Sequence, residues 1–195
     1  MLVPIMETEK LILKYMIEEK KSFIISDLSK VLRKDYKIVH TAVNRLIDKG
    51  ILKSERIGGS VRVEFVNQFS KEVLEVEFLR REEILSKNFK LILNTLFREI
   101  DSVNFILLLF GSYAKKKQTK NSDIDLMFIF PSKKSEEIIE EIISVLPIKI
   151  HPLVFSEKEF IGMKNSKEEN VVSEAIKSNV ILYGIEQYYK LLKKW

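Results

Sequence analysis

The chain has no cysteine among its 195 residues. Disulfide staples and thiolate metal centres are excluded on that ground alone. It also lacks a long hydrophobic run. Its longest apolar stretches, such as Phe105 to Phe110, fall far short of the roughly 20 residues that a bilayer crossing needs. No signal peptide, internal repeat or low-complexity segment is read from it. These absences lead to the expectation of a soluble, cytoplasmic protein with no membrane partner. Net charge is +5, which permits an acidic partner without demanding one. A hydrophobic content of 46% is enough for true cores, and the length suits one large or two small domains.

What is present concentrates in Leu107 to Ile129, LLLFGSYAKKKQTKNSDIDLMFI. A hydrophobic run ends in Gly111-Ser112. Polar residues follow, and Asp123-Ile124-Asp125 then opens a second hydrophobic run. Side chains two apart on a strand share a face. Asp123 and Asp125 are therefore expected to project side by side, with Ile124, Leu126 and Phe128 packed inward. Adjacent carboxylates repel and lose solvation unless a cation sits between them. Mg²⁺ takes oxygen ligands and commonly joins one or two carboxylates to substrate phosphates. Glycine at 111 lets the backbone come close to a phosphate, and amides at the start of a following helix can bind it. Phosphate cradle beside acidic pair is the equipment of phosphoryl or nucleotidyl transfer.

Gly111-Ser112-x-Ala114 followed by Ser122-Asp123-Ile124-Asp125-Leu126 resembles the signature of the DNA polymerase β-type nucleotidyltransferase superfamily, in its minimal nucleotidyltransferase branch. The resemblance runs from about Phe105 to Tyr189. It implies a small mixed β-sheet flanked by helices, Mg²⁺ as cofactor and a nucleoside triphosphate substrate, with ATP favoured. Asp123 and Asp125 become the catalytic and metal-holding pair, and Gly111, Ser112 and Lys116 the nucleotide-binding residues. The reaction implied is transfer of a nucleotide such as AMP to a hydroxyl of a protein or small molecule. Some minimal nucleotidyltransferases modify a partner toxin, so a protein acceptor fits the resemblance.

Two departures stand out. Lys116 occupies a position where the family commonly has glycine. The third carboxylate of the superfamily, carried on a later strand, has no counterpart in Ile148-Lys149-Ile150-His151-Pro152-Leu153-Val154. Lys149 or His151 takes its place in the pattern, although His151 also reads as a plain strand-end residue before proline. Imidazole in place of an oxygen ligand disfavours Mg²⁺. The departure therefore keeps a second reading open, a DNA-binding regulator whose transferase-like domain is a catalytically impaired nucleotide sensor.

The first third is organised differently. Leu11, Ile12, Tyr15 and Met16 have helical spacing. Ser26-Asp27 is expected to cap a short helix through Leu32. A longer helix is expected from about Tyr36 to Lys49, with Val39, Val43, Leu46 and Ile47 on its apolar side and Gly50 ending it. Residues 51–57 and 61–66 read as strands around Gly58-Gly59-Ser60, a hairpin. This order, with Asn44-Arg45-Leu46 and Lys49-Gly50-Ile51-Leu52, resembles a winged helix-turn-helix domain. Double-stranded DNA is then an implied partner. Lys37, His40, Thr41, Asn44 and Arg45 would face the major groove, and Lys53, Arg56 and Arg62 would lie on the wing.

The expected architecture is α+β. Residues 1–67 form the winged helix-turn-helix domain, 68–101 a helical connector and 102–195 the nucleotidyltransferase-like domain. The connector's early part is heavily charged and reads as an exposed link or a dimer helix, which raises a homodimer. Phe89, Ile92, Leu93, Leu96, Phe97 and Ile100 form a clean stripe and are assigned to the transferase side. Ser156 to Phe160 reads as a capped helix start, and Asn179 to Gly184 as a short terminal strand.

Overall fold

The computed structural model describes residues 3–85, 87–100, 104–119, 122–132 and 136–193. They divide into two compact units, Met1–Val76 and Glu77–Trp195.

In the first unit, helix α1 (Val3–Glu19) is followed by a two-residue strand β1 (Phe23–Ile24) and the short helix α2 (Ile25–Val31). Helix α3 (Tyr36–Asp48) and the hairpin β2 (Leu52–Ile57) and β3 (Ser60–Phe65) complete it. Val39, Ala42, Val43 and Leu46 recur at helical spacing and are fully buried, so α3 has one apolar stripe and one polar face. They pack with Ile12, Leu13 and Met16 of α1 and Leu28 of α2, all likewise buried. The strands form an antiparallel sheet in the order β1-β3-β2. Gly58 at φ +58° supplies the left-handed turn between β2 and β3.

One expected cap is corrected. Helix α2 starts at Ile25, its N-cap residue is Ile24, and no side chain caps it. Ser26 and Asp27 fall inside the first turn, two and three residues past the N-cap position. The cap on α3 was not read from the sequence. Asp35 accepts hydrogen bonds from the Lys37 and Ile38 amides, as acidic N-caps do.

Helix α4 (Lys71–Ile84) and helix α5 (Lys87–Glu99) occupy the expected connector. The expectation of an exposed charged link fails at Glu77 and Arg80, which are only 1% and 5% exposed. Arg80 donates to Glu77 Oε2 and to the Asn179 carbonyl, each at 2.6 Å. Tyr189 donates to Glu77 Oε1 at 2.6 Å. Charge counting along the helix cannot reveal this burial, because the groups that satisfy the pair lie about a hundred residues away.

The second unit is built on a four-stranded mixed sheet, β4 (Ile106–Phe110), β5 (Ile124–Phe130), β6 (Ile150–Ser156) and β7 (Val180–Tyr183), in the order β6-β5-β4-β7. Strand β4 runs antiparallel to β5 and β7, whereas β5 and β6 are parallel. Helices α6 (Gly111–Ala114), α7 (Glu136–Ser144), α8 (Glu157–Lys164), α9 (Val171–Lys177) and α10 (Ile185–Lys193) connect and cover it. Leu107, Leu109, Ile124, Leu126 and Phe128 pack with Phe89, Ile92 and Leu96 of α5 and Ile139 of α7. Leu108, Met127 and Ile129 point the other way and are also buried, against α8, α9 and α10. Both faces are covered, so β4 and β5 read as continuous apolar runs rather than alternating ones. Pro152 is accommodated because β6 is an edge strand. Among the described residues no helix is long and apolar enough to cross a membrane.

Candidate functional site

Three strand ends meet at one end of the sheet. Strand β4 finishes at Phe110, β5 begins at Ile124 and β6 begins at Ile150. Phe110 pairs with Asp125 across the antiparallel ladder, and Asp125 pairs with His151 across the parallel one. Directly paired residues share a face, so the Asp125 carboxylate lies between the end of β4 and the start of β6.

Gly111 closes one side of that carboxylate. Its φ is +68°, a region that costs other residues energy. A β-carbon placed there would overlap Asp125 Oδ2 and stand only 2.9 Å from Asp125 Cγ. Two independent reasons therefore demand glycine. The backbone turns left-handed out of β4, and the carboxylate occupies the space of the missing side chain.

His151 closes the other side, with Nδ1 3.4 Å from Asp125 Oδ1. The His151 side chain is 61% exposed and that of Asp125 only 27%. Lys149 lies just before β6, is exposed, and uses its carbonyl to accept from the Ile124 amide at 3.0 Å. Of the two residues that could stand in the third acid's place, His151 is the one in register with Asp125. Asp123 is exposed, two positions before Asp125, across the buried Ile124.

Ser112 sits in the single turn of α6 and is partly exposed. The Lys117 amide donates to the Ser112 carbonyl at 2.9 Å, and the Lys116 amide to the Tyr113 carbonyl at 3.1 Å. This pair of bonds is a Schellman ending, which calls for a left-handed residue at its penultimate position. Lys116 takes that position with φ +53°. The place where the family commonly has glycine is thus a place whose backbone favours glycine, and lysine adopts it regardless. Lys116 Nζ lies 3.0 Å from a Glu83 carboxylate oxygen.

Nucleotidyltransferase domains typically use divalent cations. Asp123 and Asp125 are the carboxylates that could hold one, and His151 lies beside Asp125. Among the described residues no group of three or more His, Cys, Asp or Glu side chains could hold a metal ion. A cation here would have to take most of its ligands from phosphate oxygens and water, as Mg²⁺ commonly does.

In the first unit the residues expected to meet DNA lie on the polar face of α3 and on the hairpin. Lys37, Thr41, Asn44 and Arg45 are exposed and His40 partly so. Thr41 donates to the Lys37 carbonyl at 2.8 Å, and Asn44 Nδ2 stands 3.3 Å from His40 Nδ1. Arg45 lies 3.6 Å from the buried Glu9 carboxylate. On the hairpin, Lys53 faces Glu64 and Arg62 faces Glu55 in directly opposed pairs, with ion-pair distances of 3.1 and 2.5 Å. Arg56 is exposed opposite Val61. The outer face of the hairpin is thus largely self-neutralised, which spacing along one strand could not reveal.

Searches of curated proteins and of solved structures find no match to the chain. Residues 86–178 match the family model of a nucleotidyltransferase domain, a span that starts just before α5, ends just after α9 and holds every side chain of the site at the strand ends.

Proposed function

We propose that this protein binds a nucleoside triphosphate, with ATP favoured, together with a divalent cation such as Mg²⁺ at the ends of β4, β5 and β6, and transfers its nucleotidyl group to a hydroxyl. The observation that carries the reading is the packing of Gly111 against the Asp125 carboxylate inside a nucleotidyltransferase domain. It puts backbone with no side chain next to a cation-binding carboxylate, which is what a polyphosphate needs in order to approach both. Gly111 and Ser112 bind the triphosphate, and Asp123 and Asp125 hold the cation. Lys116 reaches phosphate when it exchanges its Glu83 partner for the nucleotide.

In the reaction the acceptor oxygen attacks the α-phosphorus. The new P–O bond forms as the bond from the α-phosphorus to the bridging oxygen breaks, pyrophosphate leaves with the electron pair, and the hydroxyl proton passes to solvent or a nearby base. A bound divalent cation supplies electrostatic relief for the phosphates during transfer. The acceptor is a protein or small-molecule hydroxyl.

The first unit is read as a winged helix-turn-helix domain that binds double-stranded DNA through α3. Three helices followed by an antiparallel hairpin support it. Lys37, His40, Thr41, Asn44 and Arg45 are the groove residues, and Arg56 is the wing contact least occupied by a carboxylate. Lys53 and Arg62 would have to leave Glu64 and Glu55 to reach phosphate.

A second reading is favoured by one observation, His151 in register with Asp125 where the superfamily carries an acid. On that reading the domain binds nucleotide, turns over slowly or not at all, and serves a DNA-binding regulator as its sensor. Transfer of label from α-phosphate-labelled ATP in a lysate, with Asp125→Ala as control, tests both. Label on an acceptor with the wild-type chain alone supports the transferase. Nucleotide binding without transfer of any triphosphate supports the sensor. Absence of nucleotide binding would sink both.

A further inference from the structure

We infer that a cleft in the first unit, between α1, α3 and the start of α4, binds a small primary amine with an apolar body, whose ammonium group meets the buried carboxylate of Glu9. This is a second site, apart from the strand ends, and it depends on neither the nucleotide nor the DNA reading.

The cleft holds about 190 Å³. A cavity of about 150 Å³ takes a benzene ring, so this one has room for a ring and a short arm. All the residues that line it belong to the first unit. Leu13 of α1 and Leu46 of α3 form its floor. Lys10, Lys49 and Lys71 border it, and a lysine stem is apolar up to its ammonium head. Such a lining rewards burial of a hydrocarbon body.

Charge decides the rest. Glu9 is the most deeply placed charged group of the lining. Its side chain is 8% exposed, against 30% for Glu72 and 34% for Glu75. A buried carboxylate needs donors to offset its lost solvation, and its two oxygens can accept about four hydrogen bonds. Among the described residues Glu9 has one donor, Lys49, whose Nζ lies 3.1 Å from Oε2. That donor is shared, because the same Nζ lies 2.9 Å from a Glu72 oxygen. Arg45 Nη1 faces Oε1 from 3.6 Å, too far for a hydrogen bond. Glu9 therefore keeps acceptor capacity beside an apolar floor. An ammonium group brings three donors and the opposite charge.

Other ligand classes fit less well. Lys10 lies 2.9 Å from Glu75, and Lys49 is held between Glu9 and Glu72. An anion would have to draw one of these lysines from its carboxylate and would then face Glu9 with like charge. A neutral alcohol of the same shape brings one donor and no charge.

The test uses the full chain, as wild type and Glu9→Gln, with benzylamine, benzyl alcohol and phenylacetate as probes. Calorimetry and saturation-transfer NMR read binding. Wild type is expected to bind benzylamine on the order of tenfold more tightly than benzyl alcohol, as a charge-assisted hydrogen bond provides, and phenylacetate most weakly. In Glu9→Gln the amine is expected to fall to the level of the alcohol while the alcohol is unchanged. Circular dichroism confirms that the variant is folded, and the wild-type probe series stands without it. Wild type that binds the amine no more tightly than the alcohol overturns the inference. So does a folded Glu9→Gln protein that keeps its full preference for the amine, since the amine then sits elsewhere. Absence of binding by all three probes overturns the cleft as a ligand site. None of these outcomes bears on nucleotide binding at the ends of β4, β5 and β6.

Discussion

Replacing Gly111 by alanine should damage the second unit more than its size suggests. The new methyl meets two costs. A non-glycine residue at φ +68° costs about 1–2 kcal/mol. The methyl also overlaps Asp125 Oδ2, so that carboxylate must leave its place. It cannot slide aside with its backbone, because β5 is hydrogen-bonded to β4 on one side and β6 on the other. Turning the side chain off its rotamer costs roughly 0.5–1.5 kcal/mol. The sum is about 1.5–3.5 kcal/mol, a fall in Tm of roughly 6–14 °C for a unit of this size. Thermal unfolding followed by circular dichroism and calorimetry reads it. Gly162→Ala is the control, since Gly162 lies within α8 with nothing near its missing β-carbon. That variant should gain roughly 0.5–1 kcal/mol. A cycle with Asp125→Ala separates the two costs. Once Oδ2 and Cγ are gone, only the β-carbon of residue 125 remains near the methyl, at 3.3 Å, so Gly111→Ala should cost little beyond the backbone share. A Gly111→Ala protein with wild-type Tm, or a cost unchanged in the Asp125→Ala background, would refute the reasoning.

Lys116→Gly should stabilise by up to about 1 kcal/mol, because relief of the left-handed backbone exceeds the loss of an exposed ion pair to Glu83. The same change should weaken nucleotide binding if Lys116 contacts phosphate, and the two readouts move in opposite directions. Tyr189→Phe leaves Glu77 short of one donor and should cost about 1–3 kcal/mol. Burial, with Glu77 close by, raises the Tyr189 hydroxyl well above its ordinary value. Its contribution is therefore full below about pH 10 and lost as pH climbs beyond, so Tyr189→Phe should flatten the alkaline limb of stability. In the first unit, burial pushes the Glu72 carboxyl up, but its hydrogen bond and ion pair with Lys49 prevail and hold it below the ordinary value. Glu72 therefore stabilises above the unfolded carboxylate value, and that stability disappears as pH falls through the lower folded value. Glu72→Gln should cost less than about 1 kcal/mol at pH 7 and nothing in strong acid, as denaturant titrations across pH will read.

Local chemistry determined a large share of this protein. The helical spacing of Val39, Val43 and Leu46 makes α3 amphipathic wherever the chain folds. Gly58 ensures a tight turn, and the continuous apolar letters of β4 and β5 call for cover on both faces. Ser156 and Glu159 form the capping box that opens α8, as the letters predict. The spacing of Gly111-Ser112 and Asp123-x-Asp125 carried the likeness to nucleotidyltransferases, and residues 86–178 match such a domain. None of this says which strand lies beside which. Pairing is non-local, and sequence separation is invisible to periodicity. Only the tertiary structure brought Gly111 onto the Asp125 carboxylate, chose His151 over Lys149 as its neighbour, buried Glu77 and Arg80 beneath Tyr189 and Asn179, and cancelled Lys53 and Arg62 against Glu64 and Glu55. The physical reason is common to all four. A charged group's role depends on the solvent and partners around it, and those are set by strand register and by contacts far along the chain.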